Sequence, residues 1–155
     1  MFKGTYTAIV TPFRKGRLDE AALNRLIQLQ IKAGVEGIVP AGTTGESPTL
    51  SIEEQNQVIA WSVRMAGKRI KVIAGTGGNS TAEALELTQA AERAGADASL
   101  QVAPYYNKPT QEGLFQHFRT IARSSRLPMV LYSVPSRCGI EIGVETVQRL
   151  VRERS

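Results

Sequence analysis

Ala41-Gly42-Thr43-Thr44-Gly45-Glu46-Ser47, at positions 41–47, follows an apolar run at 35–39 and precedes a helical pattern that opens near Ser51. The stretch therefore sits where a buried strand turns into a helix, which in α/β proteins is the end of the strand where chemistry is done. Two glycines let the backbone turn tightly and come close to a ligand. Two adjacent threonines set hydroxyls beside freed backbone N–H groups, a combination that suits a small carboxylate. The same pattern also serves as a tight βα turn whose glycines are there for steric reasons alone.

Outward from this loop the chain repeats one theme. Tyr6-Thr7-Ala8-Ile9-Val10 is a β-prone run stopped by Thr11-Pro12, and Asp19 caps a helix in which Leu23, Leu26, Ile27, Gln30 and Ile31 recur at helical spacing before Gly34. Ser51-Ile52-Glu53-Glu54 reads as a capping box and predicts a helix to about Gly67. A third strand at 70–74 ends in Gly75-Thr76-Gly77-Gly78-Asn79, and Ser80-Thr81-Ala82-Glu83 predicts a second box for a helix ending at Gly95. A fourth strand at 98–103 closes on Pro104-Tyr105-Tyr106-Asn107-Lys108-Pro109, and a helix follows over about 110–124. The fifth strand, at 129–132, runs into a loop at 134–139 and a last helix at 143–153.

Strand starts near 6, 35, 70, 98 and 128 mark a βα unit about every 30 residues. The strands are apolar runs rather than alternating patterns, as expected when both faces are covered, and the crossovers are long enough for helices, so the sheet should be parallel. Such a repeat builds a (βα)8 barrel or an open doubly wound sheet. A barrel takes about 250 residues, and the 155 residues here supply five of its eight units. A five-stranded arc leaves two strand edges open and one side of its core exposed. The expectation is therefore that residues 1–155 are the N-terminal portion of a single (βα)8-barrel domain, part of a larger protein or paired with the missing part.

The composition is that of a globular protein, 42% apolar and 21% charged. The net charge of +5 is spread along the chain, densest at Arg14-Lys15-Gly16-Arg17 and at 149–154. Without aromatic residues among those charges, no nucleic-acid platform is expected; a basic chain favours acidic small substrates. The single cysteine, Cys138, fits a reducing cytoplasm. No apolar run approaches the length needed to cross a membrane, and the N-terminus lacks a signal-peptide pattern.

If the strands are parallel, one face collects Thr11, Thr43, Thr44, Tyr105, Tyr106, Asn107, Tyr132 and Arg137, while the opposite loops hold mostly glycine and charge. A tyrosine phenol passes a proton when neighbouring hydroxyls hold it and relay the charge. Tyr132, with Thr43 and a second tyrosine, is a candidate for such a chain, and Arg137 for a bidentate carboxylate clamp. Packing at a strand end and a surface ion pair are the structural alternatives for these residues. Gly75-Thr76-Gly77-Gly78 is an imperfect dinucleotide loop, and no Gly-Lys-Ser/Thr of a phosphate-binding loop occurs. His117, the only histidine, has no cysteine or second histidine nearby to share a metal, and a Cys138 nucleophile would have only His117 as a base.

At Gly42-Thr43-Thr44-Gly45-Glu46-Ser47, Tyr105-Tyr106-Asn107-Lys108-Pro109 and Tyr132-Ser133-Val134-Pro135-Ser136-Arg137 the sequence resembles the dihydrodipicolinate synthase (4-hydroxy-tetrahydrodipicolinate synthase) family. Ala8-Ile9-Val10-Thr11-Pro12-Phe13 and Ala74-Gly75-Thr76-Gly77 share the likeness, which runs in order over the whole chain. The resemblance implies a (βα)8 barrel and a lyase of the class I aldolase type. Pyruvate forms a Schiff base with a lysine, its enamine attacks L-aspartate 4-semialdehyde, and the product cyclises, a step of lysine and diaminopimelate biosynthesis. By the same resemblance Thr44 binds the pyruvate carboxylate. Thr43, Tyr106 and Tyr132 form the proton relay with Tyr132 as donor, and Arg137 holds the semialdehyde carboxylate. The implied protein is a cytoplasmic homodimer or homotetramer, Tyr106 reaching the neighbouring subunit's site, with no cofactor and no metal beyond the covalent pyruvate adduct. Ser47, Asn79, Glu83 and Tyr105 resemble part of an L-lysine effector site, although Ile52 and Gln55 stand where regulated members carry histidines or other specific groups. N-acetylneuraminate lyase and other pyruvate aldolases share the glycine-rich loop but are less similar at 105–107 and 135–137.

One departure matters most. The family's Schiff-base lysine lies on the sixth strand, and Lys3, Lys15, Lys32, Lys68, Lys71 and Lys108 are the lysines here. None falls inside an apolar strand near its C-terminal end, where burial would lower the amine's pKa. The chain alone is therefore expected to be inactive, and a non-catalytic half-barrel that self-associates is the alternative.

Overall fold

Helices of the computed structural model, which describes residues 2–153, begin where a side chain takes up amide groups that a first turn leaves free. Asp19 accepts from Ala22 N at 2.9 Å to open α1 (Glu20–Lys32), and that bond, with Arg14 adding to it, holds its carboxyl below the usual range. Ser51 and Glu54 form the reciprocal box at the head of α2 (Ile52–Ala66). At α3 (Thr81–Ala94) Ser80 accepts from Glu83 N, but only that half of the second predicted box forms. Thr110 caps α4 (Gln111–Ser124).

Between these helices lie the parallel strands β1 (Tyr6–Ala8), β4 (Gly37–Val39), β5 (Lys71–Gly75), β6 (Ala98–Val102) and β7 (Met129–Tyr132). They lie side by side in that order, with Thr7 opposite Ile38, Ile38 opposite Val72, Ala74 opposite Ser99 and Val102 opposite Tyr132. Alternation sends Ile38, Val72 and Ala74 into a core with Leu23 and Ile27 of α1, Val58 and Ile59 of α2 and Ala91 of α3. A second core gathers Ala103, Leu114, Phe118, Cys138 and Ile142 around α4, α5 (Pro135–Cys138) and α6 (Val144–Glu153).

Three features differ from the sequence reading. The strand expected at 35–39 starts only at Gly37, because Val35 N closes α1 onto Gln30 O. The basic stretch at 14–17, for which no strand is expected, forms a hairpin: β2 (Phe13–Arg14) pairs antiparallel with β3 (Arg17–Leu18) across Lys15 and Gly16, both at positive φ, as two-residue hairpin turns require. The loop at 134–139 contains α5, with Pro135 in its first turn. The open arc is as expected, since β1 and β7 each pair on one side only. Large exposed apolar residues gather toward the two ends of the chain's arc: Val10, Phe13 and Leu29 near β1, Val144 and Val151 on α6.

His117 is buried on α4 with Nδ1 2.8 Å from Thr81 Oγ1 of α3. Burial lowers its pKa from 6.5 to about 4. Below pH 6.5 the unfolded chain therefore binds a proton that the folded chain refuses, and stability falls with pH. The contribution is complete above about 6.5 and is lost progressively as pH drops toward 4. Urea titrations at stepped pH should show a loss on the order of 2 kcal/mol across this window, and His117→Leu should flatten the profile.

Candidate functional site

The loop after β4 is held from both sides. Thr11 Oγ1, beyond β1, donates to Gly45 O at 2.7 Å in a buried bond. On the other side Gly75 N, at the end of β5, donates to Pro40 O at 3.0 Å. Gly75 packs so close that a Cβ there would lie 2.2 Å from Ala41 O, which only glycine allows. Gln55 of α2, 5% exposed, donates from Nε2 to Gly75 O at 2.8 Å and fixes the strand end from behind. Ala41 takes a left-handed φ of 52°, and Glu46 N and Ser47 N return to Thr43 O and Gly42 O. The turn is thus rigid, with Thr43 and Thr44 exposed at its tip.

A cavity of about 20 Å³, enough for one water, lies beneath that tip. Gly42, Thr43 and Ser47 form one wall, Gly75 and Gly77 another, and Leu100, Val102 and Tyr132 close it. Thr43 and Tyr132 are thereby placed on one small space. Thr44 and Tyr106 do not line it. Tyr106 is 89% exposed at a left-handed φ of 68°. Arg137 is exposed on α5 and is likewise off the cavity wall.

Of the four residues grouped as an effector site, Ser47 belongs to the cavity wall. The other three lie around the head of α3 and the β6–α4 loop. Asn107 Nδ2 donates to Asn79 O at 2.8 Å, tying the two loops together. Burial, then the Glu83 carboxylate, raises the Tyr105 phenol above its ordinary pKa.

No lysine is placed to serve this cavity. Lys71 opens β5 at the opposite end of the sheet, 2.6 Å from Asp97, and that partner raises its pKa. Lys3, Lys15, Lys32, Lys68 and Lys108 are exposed. Burial keeps the Cys138 thiol protonated by raising its pKa, and among the described residues no three His, Cys, Asp or Glu side chains are grouped to hold a metal. No described helix is long and apolar enough to cross a membrane. The larger hollows lie elsewhere: one of about 280 Å³ between α4, β7 and α6, another of about 570 Å³ at the opposite strand ends beside Lys3, Lys68 and Lys71.

Sequence reasoning missed Gln101, Thr76 and Thr88, which join in a buried polar cluster between β5, β6 and α3. Its one signal was polar residues, Ser99 and Gln101, inside an otherwise apolar strand.

Parallel βα units with a glycine-pinned loop and a tyrosine at the C-terminal strand ends are the arrangement expected of a portion of a (βα)8 barrel. The sequence matches the dihydrodipicolinate synthetase family model over residues 1–154, and the chain belongs to that family. It is 57% identical over 152 residues to the 4-hydroxy-tetrahydrodipicolinate synthase of Syntrophus aciditrophicus, covering 98% of this chain and 52% of the relative. The solved synthase of Methylacidiphilum fumariolicum SolV superposes with a TM-score of 0.96 at 56% identity, over 98% of this chain and 51% of that one. A chloride-inhibited dihydrodipicolinate synthase from Acinetobacter baumannii, solved with pyruvate, gives 0.93 at 52% identity over 97% of this chain and 52% of its own. The enzyme from Cyanidioschyzon merolae, solved with lysine, gives 0.91 at 43% identity over 95% and 51%. The chain thus spans about half the length of the curated relatives it matches.

Gly75→Ala tests the pinning of the loop. The added methyl meets backbone, which cannot swing aside as a side chain would. A loss of about 2–3 kcal/mol in urea unfolding is expected, with amide shifts at Thr43 and Thr44 larger than those on α4 in two-dimensional NMR.

Proposed function

We propose that this chain carries the pyruvate-handling portion of a 4-hydroxy-tetrahydrodipicolinate synthase, a cytoplasmic lyase that condenses pyruvate with L-aspartate 4-semialdehyde in lysine and diaminopimelate biosynthesis. The observation that carries the reading is the shared cavity of Thr43 and Tyr132 under the Gly-Thr-Thr-Gly loop, in a chain of that family. In it Thr44 holds the pyruvate carboxylate through its hydroxyl and the loop amides. Thr43 hydrogen-bonds the Tyr132 phenol, which delivers the proton when carbinolamine turns to imine. Arg137 draws in the semialdehyde carboxylate. No cofactor is needed, because pyruvate is activated as a Schiff base on a lysine of the sixth strand, outside these residues. Tyr106, bare at a left-handed backbone position, completes the relay in a second copy, giving a homodimer or homotetramer. Asn79, Glu83 and Tyr105, with Ser47, take L-lysine as an effector; that a relative was solved with lysine supports an effector of this kind.

Borohydride trapping with pyruvate and intact mass tests this. The chain alone should give no adduct. Joined to the remaining part of the Syntrophus relative, it should give one pyruvyl adduct and condense the semialdehyde, and Tyr132→Phe should lower kcat about 100-fold or more. An adduct on the 155-residue chain, or full turnover in Tyr132→Phe, overturns the assignment.

The open edges of β1 and β7 and the apolar residues beside them favour a second reading for the isolated chain, a non-catalytic half-barrel that self-associates. Light scattering should then give a mass at least twice that of the 16.8 kDa chain; a monodisperse monomer removes this reading.

A further inference from the structure

The helix-facing side of β6 carries two fully buried polar residues, Ser99 and Gln101, in the middle of the fold. Gln101 Nε2 donates to Thr76 Oγ1 at 2.7 Å and to Thr88 Oγ1 at 2.9 Å. The two hydroxyls lie 3.0 Å apart, and Thr88 Oγ1 donates to Ala84 O at 2.6 Å. Counting protons orders the cluster. Thr88 spends its single proton on Ala84 O, so Thr76 must give its own to Thr88, and the two amide protons of Gln101 go one to each hydroxyl. An inverted amide would set Oε1 against two hydroxyls of which only Thr76 has a proton to offer. The direction of every bond is therefore fixed, and such chains strengthen one another in a water-free interior.

Replacing all the partners of such a cluster by apolar groups of the same shape can be nearly neutral, so stability alone does not account for it, and the geometry it sets does. Thr76 N and Gly77 N both donate to Leu100 O, at 3.2 and 3.0 Å. Gly77 lies flat on β6, where a Cβ would stand 2.4 Å from Val102 N. Val102 is in register with Tyr132, and Gly77, Val102, Tyr132 and Thr43 share the cavity wall.

We propose that Gln101 is a positioning residue for Tyr132, acting through Thr76 on the backbone of Gly77 and so on the wall against which the phenol rests. The proposal rests on the reading of Tyr132 as the proton donor, but its test observes the ring and not turnover, so the two can fail separately. The full 155-residue chain is labelled with 13C at the tyrosine ζ carbons, and the Tyr132 line is assigned with Tyr132→Phe. In Gln101→Leu and in Thr76→Val, the Tyr132 line should move by more than its width while that of Tyr6, on β1, stays. Thr76→Ser, which keeps the hydroxyl, should leave Tyr132 in place. Thr76→Val preserves shape and carries the test if Gln101→Leu does not fold. A Tyr132 line that stays fixed in the folded variants, whatever their urea stability, overturns the proposal, as does a Thr76→Ser shift equal to that of Thr76→Val. Either result reduces the cluster to packing.

Discussion

Everything at the mouth of this sheet depends on the contact between Gly75 and the backbone of Ala41. Two strand ends meet there without a side chain between them, closer than any Cβ would permit. Because β4 and β5 run parallel, that contact sets the loop of one strand against the end of the next. Thr11 and Gln55 then lock the pair from β1 and from α2. The backbone that carries the two tip threonines gains its fixed course from this arrangement. A preorganised backbone of this kind needs no rearrangement when charge develops beside it.

Electrostatics divides the molecule between its two ends. Lys71 and the large basic hollow sit where strands begin, and Asp97 keeps the Lys71 amine charged. Hydroxyls and three of the four tyrosines, Tyr105, Tyr106 and Tyr132, occupy the ends where strands finish. No lysine lines the small cavity at those ends. On the proposed reading, groups that bind a carboxylate and pass protons stand there instead, and the reacting amine comes from another strand.

Much of this was legible in the residues. Asp19, Ser51, Ser80 and Thr110 each announced a helix start, and each caps one. The apolar runs announced parallel strands, and all five pair in parallel. What stayed hidden was either too short or too deep to leave a pattern. Two-residue strands, such as those of the hairpin at 13–18, have no periodicity to read. The four-residue helix α5 makes barely one turn, too short for helical spacing to recur. At the site, Thr43 and Tyr132 were paired by the rule that parallel strand ends share a face. The Gln101 cluster was not, because a hydrogen bond between a strand and a distant helix has no signature in linear spacing.

The strand order β1-β4-β5-β6-β7 follows the order of the chain, each strand adding to the edge left by the one before it. The long helices likewise pack in chain order, α1 on α2, α2 on α3, α3 on α4 and α4 on α6. Every loop that must close is accordingly one βα unit long, which keeps the entropy of closure small. A ribosome delivering this chain from its first residue would hand over each unit when the surface it docks on is already in place. Assembly can then keep pace with synthesis, growing along the arc like a fan opened one blade at a time.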